Sequence, residues 1–141
     1  MRIRHQRGQN RHRCGAHTVE FAFAMPILLA FLWGIIEIGR GFMVVGILSN
    51  AAAAGCRAAV VPGATSADAS TAVNNYMSGV GVSGFSTQLL INNSSSGSLA
   101  TAATGTPINV TVTVPVANIA WLPWMNFLSG TLSGQFTLPH E

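Results

Sequence analysis

The sequence predicts an α+β protein: a long N-terminal hydrophobic transmembrane helix followed by a small head with one short helix and an antiparallel sheet. Three observations carry that prediction. Residues 21–36 hold no charged side chain. The apolar and small residues then continue without a proline until Pro62-Gly63, a clear helix stop. Further on, Ile108, Val110, Val112, Val114 and Val116 alternate with Asn109, Thr111, Thr113 and Pro115, the period of a strand with one buried face.

Composition agrees. The 141 residues are 49% hydrophobic and 8% charged, with a mean hydropathy of +0.43. A soluble domain carries charge on about a quarter of its residues, so one anchor plus one small domain fits this length. Some 80 residues follow the long helix, roughly the size at which a single core is marginal alone.

The net charge of +3 is unevenly placed. Arg2, Arg4, Arg7, Arg11 and Arg13 precede the apolar run, only Arg40 and Arg57 follow, and there is no lysine. Basic residues beside a membrane helix hold that end in the cytoplasm, which puts the C-terminal part outside the inner membrane. Arginine-rich arms also suit phosphate, but this one runs straight into an apolar helix, so no nucleic-acid partner is expected. Cys14 and Cys56 would then lie on opposite sides of the membrane. No intramolecular disulfide and no zinc-type spacing follow from them, and Cys56 among alanines reads as a small buried residue.

Taken in order, residues 1–15 form a basic leader or cytoplasmic arm. Residues 16–61 form the transmembrane and extended helix, with Thr18 as a cap and Glu20 in its first turn. The uncharged run alone spans about 24 Å, and residues 19–38 approach the roughly 20 residues needed to cross a bilayer core. Pro26 lies inside it, as membrane helices tolerate. Glu37 and Arg40 are spaced to pair on one face. Gly34, Gly41, Gly46, Ala51, Gly55 and Ala58 are small enough to let other helices approach.

Residues 62–141 form an extracytoplasmic α+β head. Thr65 and Asp68 make a capping box with Asp in place of Glu, and a short amphipathic helix follows over 66–78. Residues 85–91 and 135–138 read as further strands, and 92–98 as a loop. Pro115 argues that its strand ends at a sheet edge. Trp121, Trp124 and Phe127 cap the sheet, or alternatively rest on lipid headgroups, where tryptophan is enriched.

The residues Gly15, Val19-Glu20-Phe21-Ala22, Pro26, Gly34-Ile35-Ile36-Glu37-Ile38-Gly39-Arg40 and Asn50-Ala51-Ala52-Ala53-Ala54-Gly55-Cys56-Arg57-Ala58 resemble the TadE-like family. These are pilin-like membrane proteins of the tight-adherence (Flp, type IVb) pilus system. The resemblance covers roughly residues 13–60. It implies that a prepilin peptidase cuts between Gly15 and Ala16, so that the mature chain opens at Ala16 with Glu20 as its fifth residue. It also implies an assembly role for Glu20 and Phe21. The new α-amino group is largely cationic at neutral pH, and the Glu20 carboxylate of a neighbouring subunit can pair with it. That pairing offsets the cost of a charge near lipid, about 2.5–3.5 kcal/mol at mid-membrane. Pro26, Gly34, Glu37 and Arg40 are the candidate helix-packing positions. Ala16 stands where major type IV pilins carry an aromatic residue or methionine, and Cys56 where the family usually has a small residue.

No catalytic constellation is visible. Beyond residue 15 the acids are Glu20, Glu37, Asp68 and Glu141 and the histidines His17 and His140, scattered along the chain. No cofactor, metal or small-molecule substrate is expected, and no enzyme. The expected function is that of a minor pilin-like subunit or assembly factor of a tight-adherence pilus. It would be single-pass in the bacterial inner membrane, N-terminus cytoplasmic and C-terminal domain periplasmic or extracellular. Its partners would be the membrane, the prepilin peptidase, other pilin-like subunits and pilus assembly proteins. The alternative is a secreted binding domain whose signal peptide is cleaved near Ala52-Ala53-Ala54.

Overall fold

The computed structural model describes residues 13–95, 97–119 and 130–141. Its elements are α1 (Arg13–Ala59), α2 (Ser66–Val80), β1 (Ser86–Ile91), β2 (Pro107–Pro115) and β3 (Thr131–Pro139), with short 3-10 turns at Leu99–Thr101 and Val116–Asn118. This is the expected α+β arrangement. The chain separates into two compact units, Met1–Ile38 and Gly39–Glu141, and α1 runs through the boundary.

In the first unit α1 buries nothing large. Phe21, Phe23, Ile27, Leu28, Phe31, Leu32, Ile35 and Ile36 are all exposed. Together with Val19, Leu29 and Trp33, which are also exposed, they put apolar surface on every side, the mark of a buried helix or a membrane span rather than a surface helix. The helix begins earlier than the capping signals suggested. Nothing in Arg13-Cys14-Gly15-Ala16-His17 stops a helix except one glycine, at about 1 kcal/mol. Thr18 and Glu20 are therefore interior positions, not a cap and a first-turn acid.

In the second unit the same helix becomes a core element. Val44, Leu48, Ala51, Ala52, Cys56 and Ala59 are buried at helical spacing. They share one hydrophobic cluster with Ala69, Val73 and Met77 of α2 and with Ile108, Val110, Val112 and Val114 of β2. The small residues admit a close approach. A Cβ added at Gly55 would stand 2.6 Å from Val73 Cγ2, and one at Gly134 of β3 would overlap the backbone of Leu48 and Ser49. Ala51 and Gly55 thus serve this head's own core, where α2 comes close to Gly55, and not the approach of another subunit's helix.

Helix α2 starts as predicted. Thr65 Oγ1 accepts a hydrogen bond from the Asp68 amide at 3.4 Å, and Asp68 Oδ2 accepts from the Thr65 amide at 2.8 Å. The helix ends at Gly81, whose φ of 72° is the left-handed cap that favours glycine.

The sheet has the order β1-β2-β3, antiparallel throughout. Its inner face is the valine stripe. Its outer face is neutral and polar, tied across strands by Ser86 Oγ to Thr113 Oγ1 at 2.7 Å and by Asn109 Nδ2 donating to Thr137 Oγ1 at 2.8 Å. β2 is the central strand, but past Thr113 it has no β1 partner, so Pro115 marks an edge only at that end of the strand. The Asn92 amide bonds the Pro107 carbonyl and the Val116 amide bonds the Gly130 carbonyl. Odd residues of β2 therefore direct their backbone groups toward β1, and even ones toward β3. The missing amide of Pro115 lies on the β1 side, beyond the first residue of that strand. Strand β3 is longer than its apolar pattern, because Gly134 interrupts the alternation where α1 comes closest. Residues 1–12 of the basic arm and the aromatic positions Trp121, Trp124 and Phe127 lie outside the described residues.

Candidate functional site

The sequence places its candidate functional residues along α1, and the structure sorts them into two settings. Gly15, Glu20 and Phe21 lie on exposed helix surface in the first unit; Ala16 is helical there. Phe21 is 64% exposed. The Glu20 carboxylate sits 3.4 Å from His17 Nδ1 on the preceding turn, and both side chains are largely open to the surroundings. An exposed pair of this kind contributes at most about 1 kcal/mol.

Pro26 is accommodated inside the continuous helix. A Cβ at Gly34 would meet nothing within 4 Å, so that face is open for close approach. Glu37 is half-buried and belongs to the first unit; Arg40, also half-buried, belongs to the second.

Arg40 lines an open groove of about 560 Å³ at one end of the head. Met43, Val44 and Ile47 of α1 form one wall, the Val80–Ser83 turn another, and Asn118 with Ile119 the third. The turn is shaped by Gly81 and Gly84, with φ of 72° and 71°, and Asn118 Nδ2 donates to the Gly84 carbonyl at 3.3 Å. Nothing in the sequence pattern announced this groove, because it joins three segments distant in the chain.

Cys56 is fully buried, with Sγ 3.2 Å from the Ile108 carbonyl, and burial pushes its thiol up from the ordinary cysteine value. It is a core residue, as expected from its alanine surroundings. His140 is buried to 8% exposure, and its Nδ1 has no hydrogen-bond partner among the described residues. Among the described residues no three His, Cys, Asp or Glu side chains stand close enough to hold a metal ion.

A helix apolar round its circumference, followed by a small α+β head, is consistent with the class of single-pass membrane proteins with one folded domain. It is the one helix among the described residues long and apolar enough to cross a membrane. Residues 15–57 match the family model described as TadE-like protein, which bears out the resemblance read from Gly15 through Arg57. The matched stretch contains every candidate residue read from the sequence, Gly15 to Arg40, and ends inside α1; α2 and the sheet lie beyond it. No curated protein matches the chain, and no solved structure does.

Proposed function

We propose that the protein is a minor pilin-like subunit or assembly factor of a tight-adherence (type IVb) pilus, anchored in the inner membrane by residues 19–38. The family match over residues 15–57 carries this reading. The exposed apolar circumference of the same stretch supports it, since lipid or partner helices must cover that surface.

In this reading a prepilin peptidase cuts between Gly15 and Ala16. The mature helix then opens at Ala16, and Glu20 stands just past its first turn. The carboxylate of one subunit neutralises the α-amino group of the next as their helices pack, which fixes the axial register. Phe21 packs beside that pair, and the open surface at Gly34 receives a neighbouring helix. The basic arm keeps the N-terminus cytoplasmic and the head faces the periplasm or the exterior. The protein performs no chemistry of its own; its work is helix packing and head contact.

The secreted alternative fares worse against the packing. Cleavage near Ala54 would remove Val44, Leu48, Ala51 and Ala52, four members of the head's core. Intact mass and N-terminal sequence of the protein from its host's membranes test the proposal. A start at Ala16 is expected. A start at Met1 removes the basis for the role given to Glu20, and a start near Gly55 restores the secreted reading.

A further inference from the structure

We propose that the end of the head formed by the α1 turns after Arg40 and by the Val80–Ser83 turn is a lipid-docking surface. Its occupant is the phospholipid headgroup layer of the bilayer. This rests on the reading of residues 19–38 as the membrane anchor.

The surface has an unusual make-up for one facing water. Phe42 is 74%, Met43 65% and Val80 41% exposed, and Met43, Val80 and Val82 line the groove described above. Scattered exposed apolar residues need no explanation, but Met43 and Val80 border one groove, and Phe42 is the residue before Met43 in the same helix. Arg40 is the single charged side chain among its described lining residues. A cation beside exposed apolar side chains matches the headgroup layer, where phosphate lies next to the first methylenes and amphipathic side chains concentrate. The guanidinium is the cation best suited to phosphate, through its planar fork of donors.

Chain continuity supplies the depth. Arg40 follows the apolar run within the same helix. At about 1.5 Å per residue, Arg40 to Met43 fall roughly 3–8 Å beyond Ile38. The headgroup region on each side of the hydrocarbon core is about 5–8 Å thick, so these residues sit within it. The Val80–Ser83 turn borders the same groove, held there by the two left-handed glycines and by Asn118. Helix α2 thereby returns the chain to the level at which α1 enters the head.

The test uses the full chain in lipid nanodiscs, with Cys14→Ser so that buried Cys56 is the sole native thiol and stays unlabelled. Spin labels are placed singly through Leu29→Cys, Met43→Cys, Val80→Cys and Thr71→Cys. Collision rates with oxygen, which favours lipid, and with a neutral nickel chelate, which favours water, are then compared. The expected result is an oxygen-to-nickel ratio highest at Leu29, intermediate at Met43 and Val80, and lowest at Thr71, with several-fold steps. If Leu29 reads as lipid while Met43 and Val80 match Thr71, the docking surface is refuted and the anchor stands. If Met43 and Val80 are shielded from both agents, a protein covers the groove and the proposal is equally refuted. A water-like Leu29 would overturn the anchor itself.

Discussion

The two parts of α1 obey opposite rules within one helix. Before Gly39, large side chains such as Phe23, Phe31 and Trp33 point outward and the glycines meet nothing. After it, small side chains such as Ala51, Ala52 and Gly55 are buried against a sheet and a second helix. Large exposed residues suit a surrounding of lipid, where bulk costs nothing. Small buried ones suit a protein core whose neighbouring backbones must come close. The same apolar composition therefore does two jobs, and residue size separates them better than hydropathy does.

The contrast is broken most severely at Gly134 and Leu48. Gly134→Ala forces a Cβ into the backbone of α1, where no side chain can move aside. We expect a loss of about 3 kcal/mol or more of head stability. Leu48→Ala removes a side chain with no exposure and should cost about 2–5 kcal/mol. Phe31→Ala removes even more apolar volume, yet should leave head stability within about 0.5 kcal/mol. Hydrogen exchange of the Val110 and Val112 amides, followed in detergent for all three variants, reads the head alone. Equal losses for Phe31→Ala and Leu48→Ala would mean that the two parts of α1 share one core.

A smaller effect sharpens the same contrast with a single methyl group. Gly55→Ala places it 2.6 Å from Val73 Cγ2 and 3.2 Å from the Ala69 carbonyl, for an expected loss of about 1–3 kcal/mol. Gly34→Ala adds the same group to open surface and should raise helix stability by about 0.5–1 kcal/mol. Thermal unfolding of the isolated protein distinguishes them. If Gly34→Ala also reduces recovery in pilus-linked complexes, its open face is used by another helix.

Much of this was legible in the sequence because it is periodic. The 3–4 spacing of Ala69, Val73 and Met77 and the alternation from Ile108 to Val114 each register one buried face, and the charge-free run registers a helix that is apolar on all sides. What escaped was set by contacts between distant segments. Strand β3 looked short because Gly134 breaks its alternation, although a glycine inside a strand signals close approach of another backbone. Pro115 marked an end of β2 that is unpaired on one side, but sequence does not tell that the strand is otherwise central. Ala51 and Gly55 read as surfaces for other helices because small residues mark any tight interface, within a chain or between chains. The groove at Arg40 required three segments to be seen together. Among the assembly positions, Glu20 and Gly15 came from family resemblance and not from any periodicity.

The start of α2 offers a finer, pH-dependent test confined to the second unit. Thr65→Ala removes the cap at an expected cost of about 1 kcal/mol. Hydrogen bonds from the Thr65 amide and hydroxyl hold the Asp68 carboxyl below its ordinary value. A lowered folded-state value means that the stabilisation is present above the unfolded carboxyl's range and is lost as pH falls through the folded one. Asp68→Asn should therefore flatten the acid limb of the stability profile while leaving its shape near neutral pH unchanged. An acid limb identical to that of the unmodified protein would show that this carboxyl is not responsible.

The smallest expected effect on the fold belongs to Glu20, and that is what makes it diagnostic. Its carboxylate is exposed, and among the described residues it meets His17 on the neighbouring turn at 3.4 Å. Glu20→Ala should leave hydrogen exchange throughout the head unchanged, within about 0.5 kcal/mol. A residue whose carboxylate meets, among the described residues, a histidine on the neighbouring turn, yet stands at the head of a charge-free run, is explained if its partner lies on another molecule. Recovery of Glu20→Ala in pilus-linked complexes from host membranes should accordingly fall sharply, and Glu20→Gln should not restore it, since the amide lacks the charge. Full recovery of both variants would reduce Glu20 to a lipid-interface residue, while rescue by Gln alone would make the contact a neutral hydrogen bond.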